Sequence, residues 1–163
     1  MGRLIFSLFM LCYVIKVSES IYQDCGSTLG TLLGLEVSKC KITDARCTLH
    51  RNTNSTIAIK FSTNQEIKKV KAIVHGIVMS MSVDFPLPNS DGCVDSGLTC
   101  PLKQGNVYTY ITQLPVLETY PKITVDVKWE LQLDSETVTN KTNGTTEDTS
   151  KDIVCVIIPA KIQ

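Results

Sequence analysis

The sequence predicts an all-β fold, an antiparallel sandwich or barrel. Three observations carry this. The stretch KITVDVKWELQL (122–133) alternates apolar and polar residues without a break. No part of the chain beyond its first segment shows sustained helical periodicity. Short apolar runs are separated by turn-forming clusters rather than by helices.

The first segment stands apart. MGRLIFSLFMLCYVIKVSES has one basic residue near its start, Arg3, then an apolar run from Leu4 to Ile15 and a small-residue site at Ser18-Glu19-Ser20. This is the three-part pattern of a secretory signal peptide, with cleavage expected after Ser20. The run is too short to span a bilayer, which takes about 20 residues. Removing residues 1–20 leaves one domain, 21–163, with 14 basic and 15 acidic residues. A net charge near −1 gives no electrostatic reason to bind nucleic acid or an anionic surface.

Cys12 is lost with the signal, leaving Cys25, Cys40, Cys47, Cys93, Cys100 and Cys155. An even count in a secreted chain reads as three disulfides, one of fifteen possible pairings. Cys40 and Cys47 enclose KITDAR, and Cys93 and Cys100 enclose VDSGLT; each stretch is short enough to close a local loop, which would leave Cys25 with Cys155. No close CxxC pair supports a zinc site, and no metal or cofactor is expected.

The strands follow in order. TIAIKFS (56–62) sets Ile57, Ile59 and Phe61 on one face. From Ile73 to Phe85 the odd positions read Ile, His, Ile, Met, Met, Val, Phe, which describes one long strand or a bent pair. PNSDG (88–92) and KQGN (103–106) are turns. Tyr108, Tyr110 and Leu114 alternate with more polar neighbours. Ile123, Val125, Val127, Trp129, Leu131 and Leu133 share one face of the next strand, with Lys128 on the solvated one. IVCVIIPA (153–160), apolar on both faces and β-branched, reads as a buried last strand. Residues 134–152 are polar and threonine-rich, an exposed loop with nothing to bury. Sequons stand at Asn54, Asn140 and Asn143, candidate glycan sites in a secreted chain.

The chain carries no constellation for catalysis: no nucleophile elbow, HExxH or phosphate-binding glycine loop. His75, between Val74 and Gly76, reads as a packed, hydrogen-bonded residue. No enzymatic activity is expected. Alternation alone leaves open whether the apolar faces meet in a filled core or line a cavity. Met79 and Met81, adaptable side chains, and Phe85, in the stiff run FPLP, lean toward a cavity.

The ordered set DCGS (24–27), Cys40 and Cys47, VHGI (74–77), DFPLPxxDGC ending at Cys93, Cys100-Pro101, Tyr108-x-Tyr110, LPV (114–116), Tyr120-Pro121 and KWELQL resembles the ML lipid-recognition family. Within it the likeness is strongest to the Niemann–Pick type C second protein, a secreted and lysosomal sterol carrier, and its arthropod relatives. It spans essentially all of 24–162 and implies an immunoglobulin-like sandwich of two antiparallel sheets with a lipid between them. It also implies the pairs Cys25–Cys155, Cys40–Cys47 and Cys93–Cys100. The implied pocket comprises Val83, Phe85, Val116, Tyr120, Pro121, Ile123, Val125, Val127 and Trp129. Val156 stands where the sterol carriers place a pocket tryptophan, which reshapes the cavity, and the 134–152 loop is longer than theirs.

The expected function is that of a secreted, monomeric carrier of a sterol, fatty acid or small semiochemical, in a pocket of about 300–1,000 Å³. Delivery to the lysosome, or to a membrane-bound acceptor or receptor, is compatible with it. The alternatives are a structural or adhesive sandwich with a filled core, and, less supported, a secreted lipid hydrolase.

Overall fold

The computed structural model describes residues 21–41, 44–134 and 152–163. The expected signal peptide, the sequons at Asn140 and Asn143 and most of the polar loop lie outside the described residues. The elements are β1 (Gln23–Asp24), β2 (Gly30–Val37), β3 (Cys47–Leu49), β4 (Thr53–Thr63), β5 (Val70–Val78), β6 (Met81–Phe85), β7 (Val107–Val116), β8 (Thr124–Leu133) and β9 (Asp152–Ile162). The larger sheet runs β1-β9-β8-β5-β6, with β3 added to β9; the smaller runs β2-β4-β7. Pairing is antiparallel except between β3 and β9.

The apolar periodicity explains which faces meet. Ile57, Ile59 and Phe61 of β4 and Tyr110 and Leu114 of β7 are buried, as are Val125, Val127, Trp129 and Leu131 of β8. These are the inner faces of a sandwich, packed across the space between the sheets. In β9, Ile153, Val154, Cys155 and Val156 are all fully buried, as its two-sided apolar sequence implies.

The stretch 73–85 is a bent pair, joined by Met79 and Ser80, both in the left-handed region (φ 48° and 67°). This two-residue turn, opposing Val78 to Met81, matches the natural twist of a hairpin. It also changes the phase. The buried positions of β5 are even, Val70, Ala72 and Val74. The same face continues at odd positions in β6, because Val74 pairs with Phe85 and Gly76 with Val83. The odd positions of β5, read in sequence as continuous with those of β6, face outward instead.

The three disulfides are Cys25–Cys155, Cys40–Cys47 and Cys93–Cys100. The first closes a separation of 130 residues and ties β1 to β9. Beside it the sheets come together backbone to backbone. Thr28 and Leu29 donate their N–H groups to the Asp152 carbonyl at 2.9 Å. A Cβ at Gly30 would lie 2.5 Å from the Ser62 carbonyl oxygen and 2.8 Å from that of Ile153. Glycine is required there by space, since backbone on both sides cannot swing away.

Gly30→Ala is therefore expected to destabilise the fold by about 1–3 kcal/mol, the usual cost of overpacking. Gly34→Ala, on the same strand with its nearest neighbour at 3.9 Å, is expected to be neutral or slightly stabilising. Urea unfolding of the two variants checks the contrast.

Candidate functional site

At the opposite end of the strands, where β7 ends at Val116 and β9 at Ile162, a cavity lies between the inner faces. Rows of paired residues build the wall on the larger sheet. Phe85, Val74, Trp129 and Val156 form one row across β6, β5, β8 and β9, and Val83, Gly76, Val127 and Ile158 the next. The smaller sheet contributes Leu114, Pro115 and Val116 from β7. Of these, Phe85, Val74, Gly76, Val127 and the three β7 residues, with Val125, Leu49, Tyr120 and Ile162, enclose a cavity of about 60 Å³ whose exposed wall is wholly apolar.

Five of the pocket residues expected from sequence converge on this cavity: Phe85, Val116, Tyr120, Val125 and Val127. Phe85 and Tyr120 meet edge to face, centroids 5.6 Å apart, and join the two sheets at the rim. Burial raises the Tyr120 hydroxyl pKa above its ordinary value. The loop carrying Tyr120 is held by Arg51, whose Nη1 donates to the Glu118 carbonyl at 2.9 Å and to the Tyr120 carbonyl at 3.5 Å.

The other expected residues are placed elsewhere. Trp129 and Val156 share the inner face but are fully buried beyond the cavity, with the Trp129 ring against Tyr110 at 6.2 Å. The Trp129 indole N–H is buried without a hydrogen-bond partner. Val83 and Met81 lie on the inner face of the edge strand yet are 59% and 65% exposed, because the three-stranded sheet does not reach over them. Met79 sits at the hairpin turn, 90% exposed. Ile123 lines a shallow groove at the hairpin tip with Ile77, Val78 and Met79, and Pro121 is exposed in the loop between β7 and β8.

The cavity is thus smaller than the several hundred cubic ångströms expected from sequence. Trp129, Tyr110 and Phe61 fill the interior beside it with no more than 1% exposure. Sequence reasoning missed Leu49, Val74, Gly76, Leu114 and Ile162. Leu49 and Ile162 are paired at the ends of their strands, and no local pattern marks them.

The outer face of the larger sheet carries an ionic cluster. Both ring nitrogens of His75 face carboxylates: Nδ1 lies 3.1 Å from Glu130 Oε2 and Nε2 3.2 Å from Asp84. Lys128 Nζ donates to the other Glu130 oxygen at 2.7 Å. His75 is hydrogen-bonded as expected, but Lys128 is no free surface charge, since it partners a carboxylate only 7% exposed. Glu130 also approaches Asp152 and Cys155. The Cys155 sulfur is committed to its disulfide, so this grouping is no metal centre.

Residues 19–162 match the ML domain family. The chain is 40% identical over 159 residues to the ecdysteroid-regulated 16 kDa protein of Manduca sexta, covering 98% of this chain and 99% of that protein. It is 44% identical over 142 residues to NPC intracellular cholesterol transporter 2 homolog a of Drosophila melanogaster, covering 87% and 86%. Among solved structures, a Niemann–Pick type C2 protein from the Japanese carpenter ant superposes with a TM-score of 0.75 at 27% identity, covering 87% of this chain and 98% of that one.

The ionic cluster yields a stability contrast. Lys128→Ala removes the ammonium from a nearly buried carboxylate and is expected to cost about 1–3 kcal/mol. Lys60→Ala, exposed on β4, is expected to stay within about 0.5 kcal/mol. Thermal unfolding of both variants separates them.

Proposed function

This chain belongs to the ML domain family, and on that premise we propose that it is a secreted carrier of a small apolar lipid, a sterol, a fatty acid or a comparable semiochemical. The observation that carries the reading is the all-apolar cavity between the sheets. Beyond the lining, Val83 and Met81 of β6 and Leu117 of the loop after β7 are exposed apolar side chains.

Burial of the ligand supplies the affinity. Each methylene withdrawn from water contributes about 0.8 kcal/mol, so an acyl chain or sterol skeleton is held without charged contacts. The half-buried Tyr120 hydroxyl, at the rim, is the polar group placed to meet a ligand's headgroup. A lipid needs more room than about 60 Å³, so loading requires β6 and the 117–123 loop to move apart from each other. The closed corner at Gly30 and Cys25–Cys155 stays fixed. Nothing covalent is involved in uptake or release, which occur by exchange at the mouth, to a membrane-bound acceptor or receptor in the simplest scheme. The signal-peptide pattern of residues 1–20 and three disulfides fit an oxidising, extracellular setting.

One observation favours a second reading. The close packing of Trp129, Tyr110 and Phe61 suits a structural sandwich with a filled core.

Two measurements decide between them. Mass spectrometry of extracts from the natively purified protein is expected to find a lipid in near-stoichiometric amount. Phe85→Asp, at the half-buried rim of an edge strand, is expected to weaken displacement of a fluorescent sterol or fatty acid at least about tenfold, by burying a charge against the ligand, with little change in melting temperature. Asp84→Ala, on the opposite face and with its carboxylate 95% exposed, is expected to leave affinity unchanged. No extracted lipid and no probe binding by the unmodified protein would favour the filled core.

A further inference from the structure

We infer that Gly76 is a specificity-determining residue: its missing side chain makes the room that lets a flat, rigid ring system, and not only a slender chain, lie against the cavity wall. The inference rests on the carrier reading above.

Glycine inside a strand loses more chain entropy on folding than a residue with a side chain, so its presence calls for a reason. Two usual reasons do not apply here. Gly76 is not among the residues with positive φ, so its backbone is open to any L residue. Nor does another backbone crowd it. A Cβ built at Gly76 meets only Val125 Cγ2, at 3.4 Å, an ordinary contact with a side-chain methyl. Gly30 shows the contrary case, where carbonyl oxygens occupy the space.

What surrounds Gly76 gives the reason. Across the sheet it pairs with Val83 on one side and Val127 on the other. Along β5, Val74 and Val78 share its inner face. Four valines thus frame one position without a side chain, and that position lines the cavity. The result is a flat notch in a wall of branched side chains. An acyl chain, thin and flexible, passes such a wall by rotating about its bonds. A fused ring plate cannot, and the notch lets its face approach the sheet. Filling the notch removes width without touching the rim residues Phe85 and Tyr120.

The test uses the mature protein with Gly76→Ala and Gly76→Val, probed with a fluorescent sterol and a fluorescent straight-chain fatty acid. Melting temperatures of both variants are expected to be no lower than that of the unmodified protein. Sterol affinity is expected to fall at least about tenfold in Gly76→Val and by less in Gly76→Ala, the size of effect a methylene or two produces in an apolar pocket. Fatty-acid affinity is expected to change by less than about threefold on the same scale. Should the valine variant fail to fold, the alanine variant carries the same test. Unchanged sterol affinity, or equal loss of both probes, overturns the inference. So does an unmodified protein that takes the fatty acid and rejects the sterol, which leaves the carrier reading standing. Rejection of both probes by the unmodified protein overturns that reading and this inference with it.

Discussion

The approach of β2 and β4 to β9 at Gly30, where a single added carbon would collide with two carbonyl oxygens, fixes how the two sheets sit. Beside it the Cys25–Cys155 bond and the paired N–H groups on the Asp152 carbonyl bind the start of the domain to its last strand. A disulfide closing so long a loop contributes several kcal/mol in the chain-entropy account, about 4.7 for a loop of a hundred residues. The sheets are therefore pinned along one side, and any opening is directed to the other. There the larger sheet ends in β6, a five-residue strand hydrogen-bonded on one side. The smaller ends in β7 and the loop that follows it.

The site follows from this asymmetry. The smaller sheet has three strands and the larger five along its main path, so the inner face of β6 is left uncovered and its Met81 and Val83 are exposed. The cavity spans the larger sheet from Phe85 of β6 to Ile162 of β9. Its rim is bridged by the Phe85–Tyr120 ring contact rather than by hydrogen bonds. An aromatic pair adds about 0.5–1.5 kcal/mol beyond burial, small enough for a ligand's own apolar surface to replace. On the outer face His75, Lys128 and Glu130 join β5 to β8, and His75 also meets Asp84 of β6.

Much of the fold was legible in the sequence. β8 and β4 show clean alternation, and β9 is apolar on both faces, so their assignment needed no tertiary information. The three disulfide pairs are those the family resemblance implies. β2 was not legible, because a register shift between Leu32 and Gly34 breaks its period of two. The hairpin at Met79-Ser80 lacks the Asn-Gly or Asp-Gly signal of its turn class, so the phase change between β5 and β6 was hidden. For the site, Phe85, Val116, Tyr120, Val125 and Val127, expected from the sequence, all line the cavity. Trp129 and Val156 share that face, but their depth behind the cavity depends on the opposing sheet, which periodicity does not encode. The exposure of Met81 and Val83 depends on sheet width, that of Met79 on its place in the hairpin turn, and the role of Arg51 on a contact 69 residues away.

The central claim is a sandwich closed at one side that admits lipid by parting at the other. It is tested most directly by distances between spin labels. One pair at Val83 and Leu117 spans the open edge, and a second at Gln23 and Thr31 spans the pinned one; all four positions are exposed. On saturation with a bound sterol or fatty acid the account predicts that the first distance lengthens while the second holds. Stoichiometric binding with both distances unchanged, or with the pinned pair moving instead, would contradict it.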